Sequence, residues 1–213
     1  MARRIVIVGN GDIPEGVAEA IDGADLVIRF NACRSAGRGG LRTDVVAVCN
    51  TGRPALAMLG GGWQSLETVR QARAIWCVRA PEKFAALRGP LSERHPDLDD
   101  FCDDHTLGFT TFAQLTGRAL RIVPPAVHDR LDAALSAHAP PAYVVPSSGL
   151  VVIADVLDNL AADGDDVTLA GFGHQGWPGH PFAAERLWVE ARIAEGRLRR
   201  LHPDNRPSAS GGR

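Results

Sequence analysis

The sequence lacks the features that mark several large classes of protein. Its formal net charge is only −2 over 213 residues, so it has no basic excess of the kind that binds nucleic acid. The apolar run that follows the first two arginines is too short for a signal peptide or a membrane anchor. We therefore expect a cytoplasmic protein with no nucleic-acid partner and no integral membrane segment.

Cysteines are few and widely spaced. None of the four stands in the C-x-x-C spacing that zinc sites and thiol oxidoreductases use, which predicts reduced thiols rather than a metal site. The acidic stretch from Asp97 to Asp104 contains no oxygen-ligand loop pattern for calcium. We expect neither a metal nor a cofactor.

Two common nucleotide-binding signatures are also missing. The turn Gly9-Asn10-Gly11 follows an apolar run, but Pro14 stands where the dinucleotide fingerprint G-x-G-x-x-G has its third glycine. The chain contains no G-x-x-x-x-G-K-[ST] loop. The sequence therefore disfavours both a Rossmann dehydrogenase and a P-loop NTPase.

Strand and helix patterns alternate along the chain. Short runs of Val, Ile and Leu bounded by Gly, Pro or Asn are typical of buried parallel strands, and helical spacing follows over Gly149–Asn159 and Pro181–Glu195. The alternation predicts an α/β fold: a Rossmann-like, doubly wound, mainly parallel sheet in a single domain over residues 1–202, with 203–213 as a disordered tail. The strand candidates are Arg4–Gly9, Asp25–Phe30, Asp44–Asn50, Ala74–Val78, Leu120–Val123, Ala142–Val145 and Val167–Ala170, of which we expect the first two to be adjacent and central.

Polar side chains follow most of these strand candidates. Ligands of open parallel sheets bind beyond the carboxyl ends of the strands, so we expect these side chains to meet around one cleft. The alternative is that Asn and Ser simply serve there as turn and cap residues. The positions are Asn10, Asn31, Asn50, Ser147, Ser148 and His174.

Several short elements occur in a fixed order. Near the N-terminus they are Val8-Gly9-Asn10-Gly11, Ile21-Asp22, Asp25-Leu26-Val27-Ile28-Arg29-Phe30-Asn31 and Gly40-Leu41-Arg42-Thr43. In order and approximate spacing they resemble the large motif of the animal-type sialyltransferases. The segments Pro146-Ser147-Ser148-Gly149 and Gly171-Phe172-Gly173 resemble the small motif of that family, and His180 with Glu185 five residues later resembles its last motif.

The sequence also departs from that family. The short aromatic motif expected between Gly173 and His180 is missing, and only His174 and Trp177 stand there. The family's linking cysteines and its membrane anchor are missing as well. Short bacterial proteins of this general type carry the label urease operon accessory protein, which names a gene neighbourhood and no mechanism.

The resemblance implies an inverting, metal-independent glycosyltransferase that takes a sugar from a CMP-activated donor and gives it to an unidentified acceptor. His180 would be the general base, with Glu185 as the second catalytic residue. The residues implied to bind the nucleotide-sugar donor are Gly9, Asn10, Gly11, Asn31, Ser147, Ser148, Gly149, Gly173, His174 and Trp177.

The residues themselves support part of this interpretation. His180 precedes a predicted helix, whose positive end disfavours imidazolium and keeps the ring neutral, as a base must be. Free N–H groups at Ser147–Gly149 would receive an anion at another helix start. Ordinary capping by His180 and Ser147, and loop fixing by Asn31, are the alternatives. The other five histidines lie in polar stretches, and we expect them to be exposed.

Three functions remain open at this stage. The first is the sialyltransferase-like enzyme, which His180 and Glu185 favour. The second is a non-catalytic nucleotide-binding accessory protein on the same fold, which the missing aromatic motif and the short chain favour. The third is a generic Rossmann-like nucleotide-binding protein, whose likeness to the sialyltransferases extends only to the fold.

Overall fold

The computed structural model describes residues 2–203, and these contain one seven-stranded sheet in which every strand pair is parallel. The strands are β1 (Arg4–Val8), β2 (Leu26–Phe30), β3 (Val45–Val48), β4 (Ala74–Cys77), β5 (Ala119–Ile122), β6 (Asp166–Ala170) and β7 (Arg199–Arg200). The sheet order is β5-β4-β3-β2-β1-β6-β7, so β1 and β2 are adjacent and central, as predicted. The predicted tail lies, apart from its first residue, outside the described residues.

Helices cover both faces of the sheet. They are α1 (Ala18–Asp22), α2 (Gly52–Gly60), α3 (Glu67–Gln71), α4 (Pro81–Arg94), α5 (Thr106–Leu115), α6 (Pro125–Ser136), α7 (Ser148–Asp155) and α8 (Phe182–Ala194). Successive strand residues point to opposite faces, so Ile5 and Ile7 of β1 pack under α6, α7 and α8, whereas Val6 and Val8 pack toward α1. Helices α2, α3 and α5 cover the same face as α1, over β3 and β4. The predicted doubly wound α/β fold is therefore confirmed.

One predicted strand is wrong and one strand was not predicted. Ala142–Val145 lies outside the sheet, because the N–H groups of Val144 and Val145 donate to the Gly179 carbonyl, at 2.9 and 3.3 Å, instead of to a neighbouring strand. The missed strand is β7, a two-residue edge strand of Arg199 and Arg200 that has no apolar pattern to reveal it. Prolines on both sides of 142–145 disfavour its pairing in a central position.

Helix ends agree with the sequence patterns to within a residue or two. The π-helical turn Val156–Leu160 continues α7 to the end of the predicted helix. Helix α8 begins at Phe182, with Pro181 at the N-cap. The prediction that Pro181 is the first helical residue is therefore wrong by one position. Gly196 follows the C-cap with φ of 73°, the left-handed conformation that favours glycine. Across residues 2–203, no helix combines the length and the apolar character that a bilayer crossing requires.

Candidate functional site

A cleft of about 420 Å³ opens where the winding of the sheet reverses, between the carboxyl ends of β1 and β6. Such a switch point is the usual ligand position in open α/β sheets. All twelve site residues proposed from the sequence line this cleft. They are Gly9, Asn10, Gly11, Asn31, Ser147, Ser148, Gly149, Gly173, His174, Trp177, His180 and Glu185.

Asn50 is the strand-end residue that the structure does not bring to the cleft. Its side chain is fully buried and donates to the Arg79 carbonyl at 2.9 Å and to the Thr106 hydroxyl at 2.7 Å. Its Oδ1 accepts from the Arg79 N–H at 3.0 Å. Asn50 therefore joins β3 to the loop after β4. Its role is structural, as the alternative to a ligand-binding role proposed for the strand-end residues.

The floor of the cleft consists of two glycine turns in direct backbone contact. The N–H of Gly9 donates to the Ala170 carbonyl at 2.8 Å, and the N–H of Gly11 donates to the Gly171 carbonyl at 3.0 Å. A Cβ atom at Gly11 would lie 2.8 Å from the Gly171 oxygen, and one at Gly9 would lie closer still. Close approach of the two turns therefore requires glycine at both positions, independently of any ligand.

Asn10 and Asn31 fix the loops that border the cleft. Asn10 donates to the Phe30 carbonyl at 3.2 Å and accepts from the Arg34 N–H at 2.9 Å. Asn31, at a positive φ of 52°, accepts from the Cys49 N–H at 2.8 Å. Each amide oxygen already accepts one hydrogen bond, so the amide N–H groups are the main donors left for a ligand that carries acceptor oxygens.

Ser147 and Glu185 join the start of α7 to α8. The Glu185 side chain is only 1% exposed, and its carboxylate accepts from the Ser147 N–H and from the Ser147 hydroxyl, both at 2.6 Å. Burial raises the pKa of the Glu185 carboxyl, and the hydrogen bonds from Ser147 oppose this. Ser147 also caps α7 by accepting from the Leu150 N–H at 3.2 Å.

The same helix start keeps donors for a ligand. In the described part of the chain, the Ser148 hydroxyl and the N–H groups of Ser148 and Gly149 have no hydrogen-bond partner. All three border the cleft. A helix N-terminus with unoccupied N–H groups attracts a phosphate or carboxylate, although Glu185 already neutralises part of that attraction here.

His180 is held as a neutral imidazole with one free nitrogen. Its Nδ1 lies 2.8 Å from the Val145 carbonyl, which only accepts, so Nδ1 carries the proton and Nε2 is left unprotonated. The pKa of His180 is lowered to about 4, mainly by burial and to a lesser extent by the nearby charge of Arg79, while the Val145 hydrogen bond opposes both. His180 stands one residue before the N-cap of α8, so burial rather than the helix end is the main cause of its neutrality.

Two other ring side chains border the cleft. His174 adopts φ of 48°, and its Nε2 lies 3.3 Å from the Arg200 guanidinium, which also donates to the Phe172 carbonyl at 3.3 Å. Burial lowers the pKa of His174, and Arg200 adds to this. Trp177 stacks on Phe101, with centroids 5.4 Å apart and planes inclined by 23°, so one face of the indole is already covered.

The remaining elements of the N-terminal resemblance lie away from the cleft and fix one loop. Arg29 is fully buried and donates to the carbonyls of Gly39 at 2.6 Å, Gly40 at 3.1 Å and Arg42 at 3.0 Å. Asp22 accepts from the Arg42 N–H at 2.9 Å. These contacts hold the loop after β2, which starts with Asn31, so their role is structural.

Sequence reasoning missed three groups that matter at this edge of the sheet. Arg34 and Gln175 also line the cleft, and Arg200 of β7 fixes His174. Of these three, only Arg34 could have been found from the sequence, because it lies three residues after the predicted site residue Asn31.

The prediction that His128 is exposed is wrong. His128 is 4% exposed, and its Nε2 lies 3.1 Å from the Val78 carbonyl. Within residues 2–203, no group of three His, Cys, Asp or Glu side chains is placed to hold a metal ion.

Comparison with known proteins gives a relative of high identity and distant likenesses in fold. No protein-family model matches the chain. A crystal structure of a mammalian sialyltransferase in complex with Gal-beta-1-3GalNAc-ortho-nitrophenol superposes with a TM-score of 0.52 at 18% identity. It covers 94% of this chain and 69% of the sialyltransferase, and at this identity it shows a common fold alone.

A relative of high identity is the urease operon 23 kDa accessory protein of Rhizobium meliloti (strain 1021). It is 64% identical over 202 residues, which cover 94% of each chain. Identity of this degree over nearly the full length of both proteins makes them members of one family. The chain therefore belongs to the family of the urease operon 23 kDa accessory protein.

Proposed function

We propose that this protein is a nucleotide-binding accessory protein, associated with a urease operon, whose cleft takes a cytidine monophosphate group. The observation that carries the proposal is the convergence of two glycine turns, two amide side chains and the start of α7 on one cleft at the sheet's switch point. The name of the 64% identical relative supports the accessory role.

The free groups of the cleft suit a nucleotide phosphate and base. Asn10 and Asn31 offer N–H donors, and Ser148 and Gly149 offer a hydroxyl and backbone N–H groups. Phosphate oxygens and the carbonyl of a pyrimidine are acceptors that match such donors. The choice of cytidine rests on the sequence resemblance to enzymes that use CMP-activated donors.

Two features favour binding without catalysis. The Glu185 carboxylate is directed at Ser147 rather than into the cleft, so it supports the fold of the site. His180, with a pKa lowered to about 4, is a weak base at neutral pH, whereas general bases work best with a pKa near the operating pH.

Sugar transfer is the second candidate function, and the state of His180 favours it. Its unprotonated Nε2 is available at the cleft, while Nδ1 is fixed by Val145, an arrangement that suits proton abstraction from an acceptor hydroxyl. An anionic donor bound nearby would favour imidazolium and raise the pKa of His180 toward neutrality. Ligand binding would thus improve the base.

Thermal unfolding in the presence of CMP, CDP, UDP, NAD and ATP tests the binding proposal. We expect CMP to raise the melting temperature most, and equal stabilisation by all five, or by none, would contradict the proposal. Release of CMP from CMP-sialic acid, measured with and without candidate acceptors, separates the two functions. Sustained turnover that is lost in His180→Ala would favour the transferase over the accessory protein.

A further inference from the structure

Arg79 is a buried cation without a carboxylate partner. It follows β4, is only 4% exposed, and takes part in none of the ion pairs among residues 2–203. Its Nη2 donates to the Pro146 carbonyl at a long 3.3 Å, and its Nε has no partner. Burying a guanidinium without a carboxylate partner is costly, so an anion bound against Arg79 would offset that cost.

A second cavity, of about 580 Å³, lies against this guanidinium. It is continuous with the nucleotide cleft, because Asn31, Arg34, Ser148, Trp177 and His180 border both. The second cavity extends away from the glycine turns toward the loop around Phe101. A ligand there would lie beside the first site rather than within it.

The charge of this second cavity is positive. Arg34 borders it and makes no ion pair in the described part of the chain, and Arg79 adds a second free cation. Arg53 also borders the cavity, but its Nε lies 2.8 Å from the Asp100 carboxylate, which neutralises its charge.

Burial lowers the pKa of the Arg79 guanidinium, whereas the neighbouring Cys49 thiol and, to a lesser extent, the Glu185 carboxylate oppose this. Glu185 forms no ion pair with Arg79 among residues 2–203, because its carboxylate is hydrogen-bonded to Ser147.

Aromatic side chains form the apolar part of the wall. Phe101 lies under the Arg79 guanidinium at 5.7 Å and stacks on Trp177. Leu98 and Pro54 extend this surface. An inorganic ion would use only the guanidinium groups, whereas a small organic molecule would also contact these side chains.

We propose that the second cavity binds a small organic acid, whose carboxylate pairs with Arg79 and Arg34 while its body lies against Phe101 and Trp177. Arginine presents several N–H donors in a planar array that matches a carboxylate, so the pairing provides both charge and geometry. The site borders His180, so the acid would be the neighbour, and under the transferase function the acceptor, of a nucleotide-bound sugar. Its recognition needs no nucleotide.

Thermal unfolding and calorimetry with sodium glucuronate, glucose and sodium phosphate, at equal ionic strength and without nucleotide, test this proposal. We expect glucuronate to stabilise the wild-type protein, phosphate to do so less, and glucose to have no effect. Arg79→Met should abolish the glucuronate response but keep the CMP response. Arg34→Gln should weaken glucuronate binding at least about tenfold, while the exposed Arg38→Gln, which lies outside both cavities, should leave it unchanged.

The outcomes are decisive whether or not CMP binds. No response of the wild-type protein to glucuronate, or an undiminished response in Arg79→Met, would overturn the proposal. Stabilisation by phosphate that equals that by glucuronate and is likewise lost in Arg79→Met would overturn it too, because it would assign the guanidinium groups to a phosphate. If Arg79→Met does not fold, the comparison of Arg34→Gln with Arg38→Gln decides, and equal affinities in these two variants would count against the site.

Discussion

The contact between Ser147 and Glu185 predicts a large difference between two adjacent serines. Ser147→Ala removes the cap of α7, which is worth about 1 kcal/mol, and the hydroxyl hydrogen bond to the carboxylate, which is worth about 1.5–3 kcal/mol. Glu185 is 1% exposed, so water does not replace the lost donor. We expect the free energy of unfolding to fall by roughly 2.5–4 kcal/mol in total.

Ser148→Ala is the matched control. Its hydroxyl has no partner among the described residues, so we expect a change in unfolding free energy within about 0.5 kcal/mol. Thermal melts should show Ser147→Ala lower than wild type by about 5–15 °C, and Ser148→Ala nearly unchanged. CMP titrations should show the reverse order, with the larger loss of affinity in Ser148→Ala. Two variants of equal stability would refute the structural role given to Ser147 and Glu185.

Three further outcomes are expected. Gly9→Ala should prevent stable folding, because its Cβ would collide with the Gly171 carbonyl, and circular dichroism of the expressed variant measures this. His128, with a pKa lowered to about 4 by burial, binds fewer protons when folded than when unfolded, so unfolding free energy should fall by up to about 3 kcal/mol as pH drops from 6.5 to 4. The fall should be smaller in His128→Gln in urea titrations, and an equal fall would exclude His128 as its source. Under the transferase function, His180→Ala should lower turnover of CMP-sialic acid roughly 10²–10⁴-fold at an unchanged CMP affinity, and an unchanged turnover would leave His180 a structural residue.

The sheet was predictable wherever burial left a local signal. Strands β1 to β4 and β6 are short, largely buried apolar runs, and parallel strands covered on both faces favour that composition. The run Ala142–Val145 has the same composition but pairs with Gly179, a choice that tertiary contacts make. Strand β7 pairs through its backbone at the sheet edge, so its two arginines carry no strand signal.

The position of the cleft was predictable from the sequence, but the contacts that its side chains make were not. The rule for strand ends places Asn10 and Asn31 at one edge, and the structure brings them together. Ser148 also lies there, although the segment before it forms no strand of the sheet. Sequence spacing cannot reveal that Glu185 reaches across to another helix, 38 residues away along the chain. The importance of Arg79 was equally hidden, because its burial and its lack of a carboxylate partner arise from tertiary packing.

A crystal structure of the protein soaked with CMP tests the central claim most directly. The account predicts density for the nucleotide between the two glycine turns and the start of α7, with its phosphate within hydrogen-bond distance of Ser148 or Gly149 and Asn31 donating to the ligand. Density for CMP elsewhere on the surface, or an empty cleft at a concentration of CMP that stabilises the protein in solution, would contradict it.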